Sequence, residues 1–164
     1  MEHLWAPWRM AYITPYIPQQ GCIFCTKPAD DHDAENHILY RGEHCFMMLN
    51  LYPYNNGHLM VAPYQHVGNL EQLDAATLAE LMAQTQLALR ALRHTMNPDG
   101  FNMGINEGKI AGAGFADHLH LHIVPRWQGD TNFMPILADI KVIPEHLDNV
   151  YRQLKTALET VKDS

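Results

Sequence analysis

The chain has 164 residues, 47% of them hydrophobic, and a formal net charge of −7. This length and apolar content favour a single domain over residues 1–164. The negative charge argues against nucleic acid as the main partner. No stretch of the sequence reaches the roughly 18 apolar residues of a membrane span. Because the N-terminus lacks a basic region followed by an apolar core, we expect no signal peptide and a cytoplasmic protein.

Residues 1–35 are predicted to form an irregular N-terminal arm, because four prolines limit regular structure there. The arm is also rich in aromatic side chains, which rarely remain on a free tail. We therefore expect it to pack on its own domain or on a second subunit. The prolines are Pro7, Pro15, Pro18 and Pro28, and the aromatic residues include Trp5, Trp8, Tyr12 and Tyr16.

The arm contains a Cys-x-x-Cys motif, formed by Cys22 and Cys25 in the sequence CIFC. Together with Cys45 the chain has only three cysteines, which does not suggest a disulfide scaffold. A redox pair is expected at a helix start in a thioredoxin-like βαβ context, which the surrounding sequence lacks. Two interpretations remain open from the spacing: half of a zinc site that histidines complete, or two buried thiols.

Three strands open the predicted core at residues 36–127, and they lie at residues 37–42, 44–51 and 57–64. The first two meet at the sequence RGEH, a hairpin-like link. The sequence YPYNNG supplies strong turn chemistry between the second and the third strand.

A long helix is predicted next, with Asp74 as its N-cap and Asn97, Pro98 and Gly100 at its end. Its apolar residues recur at helical spacing, so we expect a core helix rather than a cofactor-binding element. The predicted buried face consists of Leu78, Leu81, Met82, Thr85, Leu89, Leu92 and Met96.

Two further strands, at residues 101–106 and 118–124, complete a sheet of about five strands. The C-terminal extension, residues 128–164, is predicted to begin as a loop and to end in a helix that Pro144 opens. Because strands and helices do not alternate regularly, the order predicts an α+β domain with an antiparallel sheet. The stripe of the last helix comprises Leu147, Val150, Tyr151, Leu154, Leu158 and Val161.

The strand at residues 118–124 carries histidines at three alternate positions, His118, His120 and His122. Successive side chains on a strand point to opposite faces, so the imidazoles are predicted to share one face and to line an open surface or a cleft. Neighbouring histidines would lie about 6.6 Å apart at Cα, so one zinc ion would reach two of them but hardly all three. At least one histidine therefore has another role, unless the pattern is an accident of a histidine-rich chain.

The sequence NEGKIAGAG, residues 106–114, leads directly into this strand. Its glycines, among them Gly112 and Gly114, allow backbone N–H groups to approach and cradle a phosphate. The spacing matches neither a Walker loop nor a dinucleotide fingerprint, and a flexible hairpin loop would explain it equally well. Placed before three aligned imidazoles, however, it suggests phosphate chemistry at a histidine, whose neutral ring is a nucleophile toward phosphorus.

Together these motifs resemble the histidine triad (HIT) superfamily. HLHLHIV matches the family motif His-x-His-x-His-x-x with apolar x, NGHLMVAP is similar to its Gly-His strand, and NEGKIAGAG to its phosphate-binding loop, in the right order over residues 22–127. The sequences LWAPWRMAYI, LNLYPYNNGHLMV and HLHLHIVPRWQGDTNFMP further resemble the bacterial branch related to diadenosine tetraphosphate phosphorylase, also called ATP adenylyltransferase. The resemblance implies a HIT-like fold.

The resemblance also implies a role at each matching position. His120 corresponds to the nucleophile that takes a nucleotidyl group from an α-phosphate, and His122 to the residue that contacts the phosphate and supports the transfer. His58 corresponds to a fourth histidine, which hydrogen-bonds within the triad. Asn50 matches the position that holds the ribose hydroxyls, and Asn106 a polar position near the phosphates.

Phe46, Met48 and Leu49 would form the base pocket of such a protein. Family members with an early Cys-x-x-Cys often bind zinc through those cysteines and two histidines. That zinc would be structural, and no catalytic cofactor is implied. Since the family usually forms two-fold dimers, we also expect a homodimer. The implied zinc ligands are Cys22, Cys25, His66 and His118.

The chain departs from the family at Gly114, where many members carry a Gln or Ser that touches the phosphates. Backbone N–H groups would replace that side chain, which leaves the leaving-group preference open. The resemblance implies cleavage of adenine dinucleoside polyphosphates or related nucleotides through a nucleotidyl-histidine, with inorganic phosphate as the acceptor. The alternatives are a hydrolase of dinucleoside polyphosphates or nucleoside phosphoramidates, and a non-catalytic nucleotide-binding module.

Overall fold

The computed structural model describes residues 21–130, 143 and 145–162. These residues contain an antiparallel sheet of five strands in the order β1-β2-β3-β5-β4. The α+β class and the sheet of about five strands are therefore confirmed. The strands are β1 (Ile38–Arg41), β2 (Cys45–Leu49), β3 (Leu59–Pro63), β4 (Gly100–Ile105) and β5 (Leu121–Arg126).

Two long α-helices, two single α-helical turns and three short 3-10 turns accompany the sheet in the described residues. The two α-helical turns lie within and at the end of the described part of the predicted arm, and the division of the chain into arm, core and C-terminal extension stays a prediction. The four aromatic residues predicted to anchor the arm lie outside the described residues. The helices are α1 (Ile23–Thr26), α2 (Asp33–Asn36), α3 (Ala75–Met96) and α4 (Leu147–Val161).

The sheet has a different core on each face. Helices α3 and α4 cover one face, where Leu49 is buried among them. The opposite face carries a second apolar cluster, which includes Phe46 and Met48. Met60 belongs to this second cluster and lies directly opposite His122 in the β3–β5 pairing, so the two side chains share that face. The histidine site is therefore on the side of the sheet away from the long helices.

Helix α3 begins at the predicted N-cap, where the Asp74 side chain accepts a hydrogen bond from the Thr77 N–H. The predicted buried face is wrong at Met82, whose side chain is 54% exposed. Gln84 is buried instead, and its Nε2 donates to the Cys45 carbonyl at 2.8 Å. A polar side chain thus points toward the sheet because the first residue of β2 supplies an acceptor for it.

Strand β5 is shifted from its predicted position, since it begins at Leu121 and ends at Arg126. Just before it, the Leu119 N–H donates to the Val67 carbonyl at 2.7 Å rather than to a neighbouring strand. His118 and His120 are only 1% and 4% exposed. The expectation of an open surface is therefore wrong for these two histidines.

The other four strands overlap their predicted positions, and α4 buries the predicted stripe from Val150 to Val161. Pro144, predicted to open α4, lies outside the described residues, and the helix is capped by His146. None of the described helices is long and apolar enough to cross a membrane. The cytoplasmic location stays a prediction.

Candidate functional site

A hydrogen bond joins two histidines from neighbouring strands. His58 immediately precedes β3, and its Nε2 lies 2.9 Å from the Nδ1 of His122 on β5. The Nδ1 of His58 accepts the Tyr54 backbone N–H at 3.0 Å, with the Asn50 side-chain amide at 3.4 Å. Because a backbone N–H can only donate, neutral His58 carries its proton on Nε2 and donates it to His122. Neutral His122 then presents its own proton on Nε2.

His120 is oriented by the carbonyl of a residue two positions earlier. Its Nδ1 lies 2.9 Å from the His118 carbonyl oxygen, and since that oxygen can only accept, Nδ1 carries the proton. The other ring nitrogen, Nε2, is then left with a free lone pair. The ring packs edge-on against His122, with centroids 4.7 Å apart, and flat against Phe24 at 4.5 Å.

His118 turns toward the cysteines rather than toward the other two triad histidines. Its Nε2–H donates to the Pro63 carbonyl at 2.9 Å, which leaves Nδ1 free to act as a ligand. That Nδ1 lies 3.3 Å from the Cys22 sulfur, 3.5 Å from the Cys25 sulfur and 3.1 Å from the Nδ1 of His66. The structure thus brings together the four residues that the resemblance implied as metal ligands.

The four ligand atoms fit a tetrahedral metal ion. They all lie within 4.8 Å of one another, and zinc–nitrogen and zinc–sulfur bonds of about 2.0–2.3 Å require neighbouring ligand atoms about 3.3–3.8 Å apart. The Pro63 carbonyl also supplies the outer hydrogen bond that holds a ligating imidazole in one tautomer. Desolvation and the neighbouring Cys22 raise the pKa of the Cys25 thiol, a cost that a divalent cation would offset. The cluster can hold a metal.

The burial of the three triad histidines lowers the pKa of each ring. For His122 desolvation is the larger cause and His120 the smaller, and together they lower the pKa to about 4. Desolvation also lowers the pKa of His120 and of His118, although the carbonyl that each bonds acts in the opposite direction. The rings are therefore neutral near pH 7, as a nucleophile and a metal ligand both require.

The glycine-rich loop connects β4 to the triad. Asn106 follows β4 directly, and a short 3-10 turn, Lys109–Ala111, continues the loop. Gly112 ends that turn with φ +89°, a backbone conformation that a side chain would strain. A Cβ at this position would lie 3.8 Å from the Asn106 amide nitrogen, whereas Gly114 is exposed and an added Cβ would meet no described atom within 4 Å.

The predicted nucleotide-binding residues divide between the two faces of the sheet. Asn50 lies beside the triad, where its amide approaches the Nδ1 of His58. Phe46 and Met48 face the same side as His122, in the cluster that Phe24 covers. Leu49 packs in the core under the long helices, so its side chain does not join the other two in one pocket.

Two aromatic residues at the site were not found by the sequence reasoning. Phe24 lies inside the Cys-x-x-Cys motif and stacks on His120. Tyr54 lies in the turn before His58, with its ring 4.8 Å from that of His58 and 6.0 Å from that of His122. Each lies within a sequence motif that was identified through other residues. Its place in that motif is the feature of the sequence that could have pointed to it.

Comparison with known proteins agrees with this arrangement. The model of the HIT domain matches residues 31–129, and the chain therefore belongs to the HIT domain family. The chain is 43% identical over 163 residues to the AP-4-A phosphorylase of Mycobacterium tuberculosis, a match that covers 95% of this chain and 84% of that protein. Family and relative together confirm an enzyme of the nucleotidyl transferase or hydrolase type.

Solved structures of HIT proteins have the same fold. A Zn-bound histidine triad family protein from Mycobacterium smegmatis has a TM-score of 0.69 and 30% identity, and the match covers 87% of this chain and 96% of that one. A hypothetical histidine triad nucleotide-binding protein from Sulfolobus tokodaii has a TM-score of 0.68 and 27% identity, covering 86% and 94%.

Proposed function

We propose that the chain is a phosphorylase of dinucleoside polyphosphates, which converts diadenosine tetraphosphate and phosphate into ATP and ADP. One observation carries the proposal. The Nδ1–H of His120 is held by the His118 carbonyl, so the lone pair on Nε2 is free to attack phosphorus. The 43% identity to a protein named AP-4-A phosphorylase supports the choice of substrate.

The reaction proceeds in two displacements at one phosphorus atom. In the first, the Nε2 of His120 forms a P–N bond to an α-phosphorus, the P–O bond to the rest of the polyphosphate breaks, and ATP leaves with that electron pair. In the second, an oxygen of inorganic phosphate attacks the same phosphorus. The P–N electron pair then returns to Nε2, ADP is released, and the phosphate proton passes to solvent. His120 is thereby regenerated.

His122 stabilises the phosphoryl oxygens during both displacements. With Nδ1 accepting from His58, its Nε2–H is available to donate to a non-bridging oxygen of the α-phosphate. A neutral donor in a buried site needs no reorganisation as charge develops on that oxygen. The N–H groups around Gly112 and Gly114 supply further donors, in place of the side chain that many family members carry at position 114.

The nucleotide is held on the same face of the sheet. Asn50 lies beside His58, and its Oδ1, which accepts the Tyr52 N–H, has a second lone pair that could accept a hydrogen bond from a ribose hydroxyl. Phe46 and Met48 lie in the buried cluster on that face, and we propose that they form the apolar wall behind the base. Asn106, at the start of the glycine-rich loop, lies at the position expected to contact the phosphate chain.

The metal is zinc, and its role is structural. Two thiolates and two imidazoles match the preference of zinc for nitrogen and sulfur ligands. A site with four protein ligands has no open position for a substrate or a water molecule. When bound, zinc would cross-link the segment of the two cysteines to the residues before β5, while the chemistry remains with His120.

Product analysis with labelled phosphate tests this function. With ³²P-phosphate and diadenosine tetraphosphate, the label should enter ADP and leave ATP unlabelled. His120→Ala should abolish the reaction, whereas the control His94→Ala, at an exposed position on α3, should retain it. AMP and ATP formed in phosphate-free buffer would instead make the enzyme a hydrolase. Wild-type turnover by His120→Ala would exclude the mechanism.

We also propose a homodimer formed through the β4 edge of the sheet. Among the described strands β4 pairs only with β5, which leaves one side of its backbone available to another chain. Met103 on β4 and Met82 on α3 are both 54% exposed. Light scattering should give twice the 18.7 kDa chain mass. Met103→Glu should reduce it to one chain, and the control Leu70→Gln should not; a wild-type monomer would refute the dimer.

A further inference from the structure

The phenyl ring of Phe24 lies flat against the imidazole of His120. The ring centroids are 4.5 Å apart, the planes differ by 25°, and Phe24 is 1% exposed. Phe24 is part of α1, between Cys22 and Cys25. The segment that supplies two of the metal ligands therefore also supplies the surface on which the nucleophile lies.

Other contacts hold Phe24 in place. Its ring meets Phe115 edge-on at 5.7 Å and an interplanar angle of 85°, and it also touches His118 at 5.3 Å. On either side of Phe24, the sulfurs of Cys22 and Cys25 lie 3.3 Å and 3.5 Å from the Nδ1 of His118. The phenyl ring is thus held mainly by the segment that carries it, whose two cysteines lie next to His118, whereas Phe115 meets only the edge of the ring.

His120 needs such a support, because a single described hydrogen bond, from Nδ1–H to the His118 carbonyl, orients its ring. The last torsion of a histidine side chain is broad, and one hydrogen bond leaves the ring free to rock about that bond. A flat contact on one side and the edge-on contact with His122 restrict the rocking. The direction of the Nε2 lone pair is then defined.

We propose that Phe24 is a positioning residue that keeps the Nε2 of His120 aligned for attack on the α-phosphorus. The inference rests on the proposed nucleotidyl transfer, and it adds a residue to which no role in that reaction has been assigned. A misdirected nucleophile lowers the rate of attack even when the enzyme is saturated with nucleotide, so the defect should persist under single-turnover conditions at saturating enzyme. A residue that merely fills the core would change stability instead.

Three variants separate these roles. Phe24→Leu removes the flat ring and Phe24→Tyr retains it. Phe115→Leu is the control: it removes a ring of similar size that, among the described ring contacts, touches Phe24 and not His120. For each, adenine-labelled diadenosine tetraphosphate is mixed with excess enzyme without phosphate, then quenched in alkaline denaturant, where a P–N bond survives. The rate of label transfer to protein, the Kd of AMP and the metal content are measured.

At saturating enzyme, we expect Phe24→Leu to form the labelled enzyme about 10- to 100-fold more slowly than wild type. Phe24→Tyr and Phe115→Leu should stay within about threefold of the wild-type rate. Equal rates in wild type and Phe24→Leu overturn the proposal, as does a loss in Phe24→Tyr or Phe115→Leu as large as that in Phe24→Leu. Phe24→Met replaces Phe24→Leu in the comparison if the latter does not fold.

A spectroscopic measurement reports the stacking independently of turnover. The ring current of Phe24 shields the C–H protons of His120, so these resonances should move downfield in Phe24→Leu and remain in place in Phe115→Leu. Unchanged His120 resonances in Phe24→Leu count against the proposal. If the wild-type enzyme carries no label at all, the proposed function is wrong. If the wild type is labelled and Phe24→Leu is labelled at the same rate, only the proposed role of Phe24 is wrong.

Discussion

The Nε2 atom of His58 lies 2.9 Å from the Nδ1 atom of His122, although 64 residues separate them in the chain. The backbone N–H of Tyr54 fixes the direction of this hydrogen bond, because it occupies the other nitrogen of His58. His58 therefore determines which nitrogen of His122 carries the proton, and in the proposed mechanism that proton is the one directed at the substrate.

Removing the donor on His58 should impair catalysis. His58→Phe preserves the ring volume but cannot donate, so His122 loses its preferred tautomer and kcat should fall by about 10- to 100-fold. His58→Gln retains an N–H donor and should retain more activity. Steady-state kinetics with diadenosine tetraphosphate measures both variants. Equal kcat in wild type and His58→Phe would contradict this role.

The half-buried His122 should make the folded protein sensitive to acid. Its pKa is about 4 in the folded state against an ordinary value of 6.5, so below pH 6.5 the unfolded chain binds a proton that the folded chain does not. The free energy of unfolding should therefore decrease as the pH falls from 6.5 toward 4. The contribution of His122 to this loss is up to about 2 kcal/mol by pH 5.

Urea unfolding of wild type and His122→Asn at pH 8 and pH 5 measures this contribution. The decrease between the two pH values should be smaller in His122→Asn, by up to about 2 kcal/mol. Because both proteins retain the metal ligands and the other histidines, acid effects at those groups largely cancel in the difference. An equal decrease in both proteins would show that the ring of His122 is not kept neutral by burial.

Loss of one sulfur ligand should remove the metal. Protein expressed with added zinc should contain close to one zinc per chain, Cys25→Ser should contain much less, and its Tm should fall by about 10 °C. The control Cys45→Ala changes a cysteine buried in the other core, so it should retain the metal even if it loses stability. Elemental analysis and thermal unfolding check both points. Equal zinc in wild type and Cys25→Ser would refute the ligand set.

Gly57 should tolerate a side chain less well than Gly108. Both have positive φ, +74° and +81°, but a Cβ on Gly57 would lie 2.7 Å from the sulfur of Met96 and 3.1 Å from a methyl group of Leu92. Gly108→Ala should cost about 1 kcal/mol through backbone strain alone, and Gly57→Ala about 2–3 kcal/mol through strain and crowding. Chemical denaturation measures both, and equal losses would contradict the crowding.

The sequence predicted the strands and long helices well, because each is marked by its own periodicity and its own caps. Asp74, for example, is recognisable as an N-cap before the fold is known. The burial of Gln84 was not predictable, since it depends on the Cys45 carbonyl, which β2 presents from 39 residues earlier in the chain. Periodicity describes one helix at a time and carries no information about acceptors on a neighbouring element.

The sequence predicted the parts of the site that are marked by residue type, such as the histidine motif. It did not predict the orientation of the rings, which backbone carbonyls determine. The alternation of His118, His120 and His122 marks the motif, yet the regular strand starts only at Leu121. The carbonyls of Pro63 and His118 orient two of the rings. Every residue has a carbonyl, so no sequence pattern distinguishes the two that act here.

The insertion of β5 between β3 and β4 has a consequence for a chain that is still being synthesised. Strands β1 to β3 can pair as soon as they emerge, but β5 must arrive before His58 has an imidazole beside it. Pairing between strands that are distant in sequence loses loop-closure entropy before it gains contacts, so it forms late. A polypeptide that ends before Leu121 therefore lacks the His58–His122 pair, and under the proposed mechanism it could not transfer a nucleotidyl group.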